Sequence, residues 1–99
     1  MKAEAEFRNS NTGTALDMVN TLRTQRGASE LSALTADDLI DERGRELYWE
    51  GHRRQDLIRF GKFLDAWNEK PASGSERLLF PIPNTALATN PNLTQNPGY

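Results

Sequence analysis

The sequence predicts a small all-α protein: about three helices, a Pro-rich extended strap and an irregular C-terminal tail. Three observations point there. Only four residues are Val or Ile, too few to line a sheet. Two Thr-x-x-Asp segments open runs whose apolar residues recur at helical spacing. Leu78-Leu79-Phe80-Pro81-Ile82-Pro83 must be extended, because each Pro lacks a donor and restrains the residue before it. The 99 residues are one domain's worth, with room for one modest core. Leu, Ile, Val and Phe make up 20 of them, close to the level below which strongly charged chains stay unfolded. The net charge is only −2, so self-repulsion is weak. A single domain over residues 1–99 is expected, with residues 1–11 and 90–99 poorly ordered.

The first helix is expected from Thr14 to Arg26. Thr14 and Asp17 have capping-box spacing, and Ala15, Met18, Val19 and Leu22 form one stripe. Arg23 and Arg26 suit the negative helix end, and Gly27 is a natural left-handed stop. Residues 3–8 are helix-compatible, with a break at Asn9-Ser10-Asn11-Thr12-Gly13. The second helix opens at Thr35-x-x-Asp38 and carries Leu39, Ile40, Leu47 and Tyr48 on one face. Gly44 lies on the same stripe and costs about 1 kcal/mol relative to Ala, so a neighbouring backbone is expected close to it. Glu50-Gly51 ends or kinks this helix. The third runs from about His52 to Phe60 and stops at Gly61. A loop follows from Asn68 to Glu76, then the strap, a short turn capped by Asn84, and the tail.

The absence of Cys excludes a disulfide framework and thiol chemistry. His52 is the lone histidine, which removes a two-His zinc site; it is expected to cap or hydrogen-bond. No phosphate-binding glycine loop and no G-x-S-x-G elbow occurs. Glu42, Glu46 and Glu50 recur at i+4, about 6 Å apart along a helix, a spacing that glycoside hydrolysis can use. Arg43, Arg45, Arg53 and Arg54 lie close enough to pair them, and a paired acid is a poor proton donor. The basic run His52-Arg53-Arg54, Arg59 and Lys62 is interrupted by Asp56, so no nucleic-acid surface is expected. Trp67 is expected to pack. No catalytic, metal-ligating or cofactor-binding residue is assigned, and no cofactor is expected.

The run Asp41-Glu42-Arg43-Gly44-Arg45-Glu46-Leu47-Tyr48-Trp49-Glu50-Gly51-His52-Arg53-Arg54-Gln55-Asp56-Leu57-Ile58-Arg59-Phe60-Gly61-Lys62-Phe63 closely resembles the C-terminal signature of the SusD/RagB family. Residues 15–23 look like that family's preceding helix. Leu79-Phe80-Pro81-Ile82-Pro83 and residues 90–99 look like its closing strap and end. The resemblance covers about residues 12–99. It implies a tetratricopeptide-like helical scaffold and the last fifth or so of a lipoprotein displayed on the bacterial outer membrane. Such proteins bind starch-type and other oligosaccharides and cap a SusC-like TonB-dependent transporter in nutrient uptake. They are not enzymes.

The resemblance implies that the chain completes the scaffold against upstream helices of its parent, while oligosaccharide is bound by the full-length protein through segments mostly outside this one. The ligand-binding residues are therefore unknown from the sequence. Met1-Lys2 leads into Ala-Glu-Ala-Glu instead of a signal sequence, and no apolar run approaches the ~20 residues of a membrane span. Two other readings stand beside this one: a free-standing helical protein–protein interaction module and, more remotely, a small carboxylate-based glycan hydrolase. Within the signature, acids and arginines at three- to four-residue spacing are expected to pair on or between helices, with Gly51 as the bend.

Overall fold

In the computed structural model, which describes residues 1–99, the chain forms five α-helices and one 3-10 turn, with no strand beyond a single bridge between Trp67 and Lys70. The all-α expectation holds. The chain divides into two compact units, Met1–Arg53 and Arg54–Tyr99.

The first unit contains α1 (Lys2–Arg8), α2 (Thr12–Gln25) and α3 (Ala36–Glu46). The chain breaks between α1 and α2 at Ser10, whose φ of 66° places it in the left-handed region. Helix α1 packs on α2. Helix α2 begins two residues earlier than its Thr14-x-x-Asp17 pattern suggests, and that pattern lies inside the helix instead of capping it. Asn11 is the N-cap residue, yet its side chain makes no cap bond; its Nδ2 instead donates to Glu6 Oε2 at 2.7 Å. The far end of α2 matches expectation. Gly27 takes φ +72°, its N–H donates to the Thr24 carbonyl and the Ala28 N–H to that of Arg23, the paired bonds of a Schellman stop.

From there the chain is pinned back onto α2. The Asn20 side chain donates to the Leu31 carbonyl at 3.0 Å and accepts from the Leu31 N–H at 2.8 Å, and Leu34 beyond it is buried. Thr35 and Asp38 then make a complete capping box at the head of α3. Ala15, Val19, Leu34, Leu39 and Ile40 are the buried apolar residues.

Helix α3 ends at Glu46, earlier than the sequence pattern suggests. Trp49 takes a left-handed φ of 66° and Gly51 one of 76°, and these two reversals turn the chain toward α4 (Arg53–Arg59). Tyr48 therefore leaves the apolar stripe and is 75% exposed. Within the second unit, α4 closes with another Schellman stop at Gly61, through the Gly61 N–H to the Ile58 carbonyl and that of Lys62 to Leu57.

A tight turn from Trp67 to Lys70 leads to the 3-10 turn Ser75–Leu78, the extended strap and α5 (Asn84–Thr89). Pro83, not Asn84, is the N-cap residue of α5, so the expected side-chain cap is not made. The tail folds against the strap. Gln95 accepts from the Ile82 N–H and donates to its carbonyl, Asn96 donates to the Phe80 carbonyl, and the Tyr99 hydroxyl reaches the carbonyls of Leu79 and Glu76. A Pro-rich strap cannot satisfy its carbonyls within itself, and the polar tail does so instead. Trp67, expected to pack, is 59% exposed, and Leu79 and Phe80 also face solvent.

Candidate functional site

The signature run places its charges on three successive segments. Glu42 and Glu46 sit four apart on one face of α3, while Arg23 lies in the last turn of α2 and Arg26 is its C-cap residue. Arg23 Nη1 donates to Glu42 Oε2 at 2.6 Å, while its Nε donates to the Ser29 carbonyl. Arg45 reaches the same Glu42 oxygen at 2.8 Å. Arg26 grips Glu46 through two bonds of 2.6 and 3.1 Å. The strongest tie of the signature therefore runs from α3 back to α2. The Arg23 and Glu42 side chains are only 14% and 11% exposed.

These partners set the carboxyl groups' protonation. Burial by itself pushes the Glu42 carboxyl up, but hydrogen bonds from Arg45 and Arg23, with their charges, outweigh it and hold the group below the usual glutamate range. The Arg26 hydrogen bond does the same for Glu46. Both acids are held as carboxylates at neutral pH, and general acid chemistry needs a carboxyl tuned the other way. Glu50 lies beyond the end of α3 and is exposed, so the expected row of three acids is not one helix face. His52 is exposed at the head of α4.

Arg53, the first residue of α4, donates from Nη1 to the Ile40 carbonyl at 2.7 Å, and its Nη2 lies 3.8 Å from Asp41. Its guanidinium crosses Gly44. A Cβ added there would meet Arg53 Nη1 at 2.7 Å, so the close neighbour of Gly44 is this side chain and not the expected backbone. The Arg53 side chain is 48% exposed and that of Asp41 more so, which makes this the lighter tie. In the second unit, Arg54 lies between two rings, 4.9 Å from the centroid of Phe63 and 4.2 Å from that of Phe80. Its Nη2 donates to the Arg77 carbonyl at 2.8 Å. Arg59 pairs with the buried Asp56 at 2.8 Å. Arg53, Arg54 and Arg59 of the basic run are thus engaged internally.

One open depression of about 530 Å³ lies on the first unit, lined by Asp41, Gly44, Arg45, Tyr48 and Arg53. Tyr48 meets Trp49 edge-to-face, with centroids 6.0 Å apart and planes at 89°, and Trp49 is 87% exposed. Sequence reasoning missed this corner because it assigned Tyr48 to the core stripe. It also missed Arg23 and Asn20, whose partners lie in other segments. No group of His, Asp or Glu is arranged to hold a metal ion. No helix is long and apolar enough to cross a membrane.

The sequence model of the SusD family matches residues 1–77. That match takes in α1, which lies outside the signature and its flanking blocks. The chain is 37% identical over 108 aligned residues to "Starch-binding protein SusD" of Bacteroides thetaiotaomicron, covering 99% of this chain and 19% of that protein. It is 28% identical over 112 residues to "SusD-like protein P38" of Formosa agariphila, covering 100% of this chain and 22% of that protein. The chain thus spans about a fifth of the length of the curated relatives it matches. A family match over most of its residues, together with a relative 37% identical across nearly the whole chain, shows that the chain belongs to the SusD family.

Proposed function

We propose that this chain is the non-catalytic, C-terminal scaffold portion of a SusD-like glycan-binding protein that captures oligosaccharide at the outer-membrane surface and passes it to a SusC-like TonB-dependent transporter. In this reading residues 1–99 act as one part of the parent, completing its helical scaffold. The observation that carries it is the use made of the signature. Glu42, Glu46, Asp56, Arg23, Arg26, Arg53 and Arg54 are engaged in ties within the fold, and the two acids spaced for hydrolysis are held ionised. The relative from Bacteroides thetaiotaomicron is named as a starch-binding protein, which supports an oligosaccharide as the ligand class.

A chimera tests this. The segment of that relative aligned with this chain is replaced by residues 1–99, and the product is assayed for thermal unfolding and for starch binding. The proposal expects a folded chimera that binds starch within a few-fold of its parent. A chimera that folds cooperatively and fails to bind contradicts a scaffold role, since the exchanged segment would then carry the ligand determinants.

A further inference from the structure

The strap is an extended segment with few donors to offer. Pro81 and Pro83 carry no N–H, so Ile82 holds the only backbone donor between Phe80 and Asn84. The tail meets this stretch as a neighbouring strand would, but it bonds through side chains. The Gln95 amide takes both polar groups of Ile82, accepting from its N–H at 2.8 Å and donating to its carbonyl at 2.9 Å. A primary amide suits this position because it donates and accepts on one flat group, whereas an ionised carboxylate only accepts. Asn96 donates to the Phe80 carbonyl at 2.7 Å, and the Tyr99 hydroxyl lies 3.0 Å from the Leu79 carbonyl and 3.1 Å from that of Glu76.

Near Tyr99 the fit is also steric. Gly98 takes φ +90°, and a Cβ there would meet the Glu76 Cβ at 2.6 Å, so a larger residue cannot pass without a shift. The tail also holds its own shape. The Leu93 N–H bonds the Asn90 carbonyl, the Tyr99 N–H bonds that of Asn96, and the Asn96 N–H bonds Gln95 Oε1. Pro91 and Pro97 stiffen the chain between these turns. None of residues 90–99 is buried, and segments with few buried apolar contacts open at the least cost.

We infer that residues 91–99 are a latch on the strap, bolted by the Gln95 amide, that undocks and redocks as one piece while the rest of the second unit stays folded. Closed, it occupies the Ile82 N–H and the carbonyls of Leu79, Phe80 and Ile82. Open, it frees all four together. An unpaired extended edge is a ready template for another chain, and the latch withholds this one. Gly98 is what lets it close.

Amide hydrogen exchange followed by NMR on the full chain tests this. Ile82 reports the latch, and Phe60, whose N–H bonds the Asp56 carbonyl at 2.9 Å at the end of α4, reports the second unit. In the wild type the Ile82 amide should exchange well below the rate of an unstructured peptide. Gln95→Ala removes both bonds to Ile82 and should speed its exchange roughly ten-fold or more, with Phe60 unchanged. Gly98→Ala touches Glu76 and not Ile82, yet should speed Ile82 comparably, because a latch that moves as one piece opens everywhere at once. An Ile82 amide that exchanges at the unstructured rate in the wild type would overturn the closed state. A Gly98→Ala variant that leaves Ile82 unchanged would overturn opening as one piece. Phe60 accelerating in step with Ile82 would make the tail an integral part of the second unit's fold, and would overturn the latch.

Discussion

Replacing Glu42 by glutamine keeps the shape of the side chain and removes its charge. In the native protein the carboxylate takes hydrogen bonds from Arg23 at 2.6 Å and Arg45 at 2.8 Å, and Arg23 is itself largely buried. The glutamine carbonyl oxygen can still accept these bonds, at about half the strength of charge-assisted ones, and the Arg23 guanidinium loses its counter-charge. The cost lies between the ~0.2–1 kcal/mol of a surface pair and the ~3–5 kcal/mol of breaking a fully buried one, so about 2 kcal/mol is expected. For a domain of this size that lowers the thermal midpoint by roughly 8–16 °C. Far-UV circular dichroism during thermal and urea unfolding reads the loss. A double-mutant cycle with Arg23→Met separates the pair's coupling from side effects, and about 1–2 kcal/mol of coupling is expected. Glu46→Gln is the internal control, since its Arg26 partner is largely exposed, and it should shift the midpoint by less than about 5 °C. A Glu42→Gln loss no larger than that of Glu46→Gln, with no coupling to Arg23, would refute the tie between α2 and α3.

Acid should weaken the fold in a defined window. Asp38, Glu42 and Glu46 are all held below their usual values in the folded state, so their stabilisation is complete above the ordinary carboxylate range and is lost as pH falls through their lowered values. Urea midpoints should be flat near neutrality and fall below about pH 4.5, with a shallower fall in Glu42→Gln. Thr35→Ala removes the capping-box hydroxyl of α3 and should lower the midpoint by roughly 4–8 °C. Gly44→Ala gains about 1 kcal/mol of helix propensity but drives the Arg53 guanidinium from the Ile40 carbonyl, a bond worth about 1.5 kcal/mol. It should be near neutral alone and stabilising by about 1 kcal/mol in an Arg53→Ala background, a reversal that equilibrium unfolding of the two pairs detects.

What the sequence disclosed is what lies within a few residues of itself. The Thr35–Asp38 box and the stops at Gly27 and Gly61 are local geometry, and residue type alone dictates them. Helix α2 starts earlier than the Thr14-x-x-Asp17 pattern suggests, at an N-cap Asn11 whose side chain makes no cap bond, so no side-chain signal marks that start. Tyr48 continues the period of Leu39 and Ile40, which predicts a place on the buried stripe. Periodicity gives no warning that the next residue, Trp49, reverses the backbone and ends the helix. Arg23 and Glu42 are 19 residues apart, so their meeting depends on the intervening turn that Asn20 holds in place. The expectation of pairing within the signature was right in kind. The spacing points to partners inside the signature, whereas the most buried tie runs from Glu42 to Arg23, outside it. The tail's grip on the strap follows no period at all, since Gln95, Asn96 and Tyr99 act singly on carbonyls left open by proline.

The central claim is that the acids of this segment hold helices together and carry out no chemistry on sugar. It is tested most directly by reducing-end release from maltooligosaccharides over prolonged incubation with the purified chain. No product above the buffer control is the predicted result. Product that accumulates with the wild-type chain and disappears in Glu42→Gln or Glu46→Gln, while those variants keep the wild-type unfolding midpoint, would contradict it.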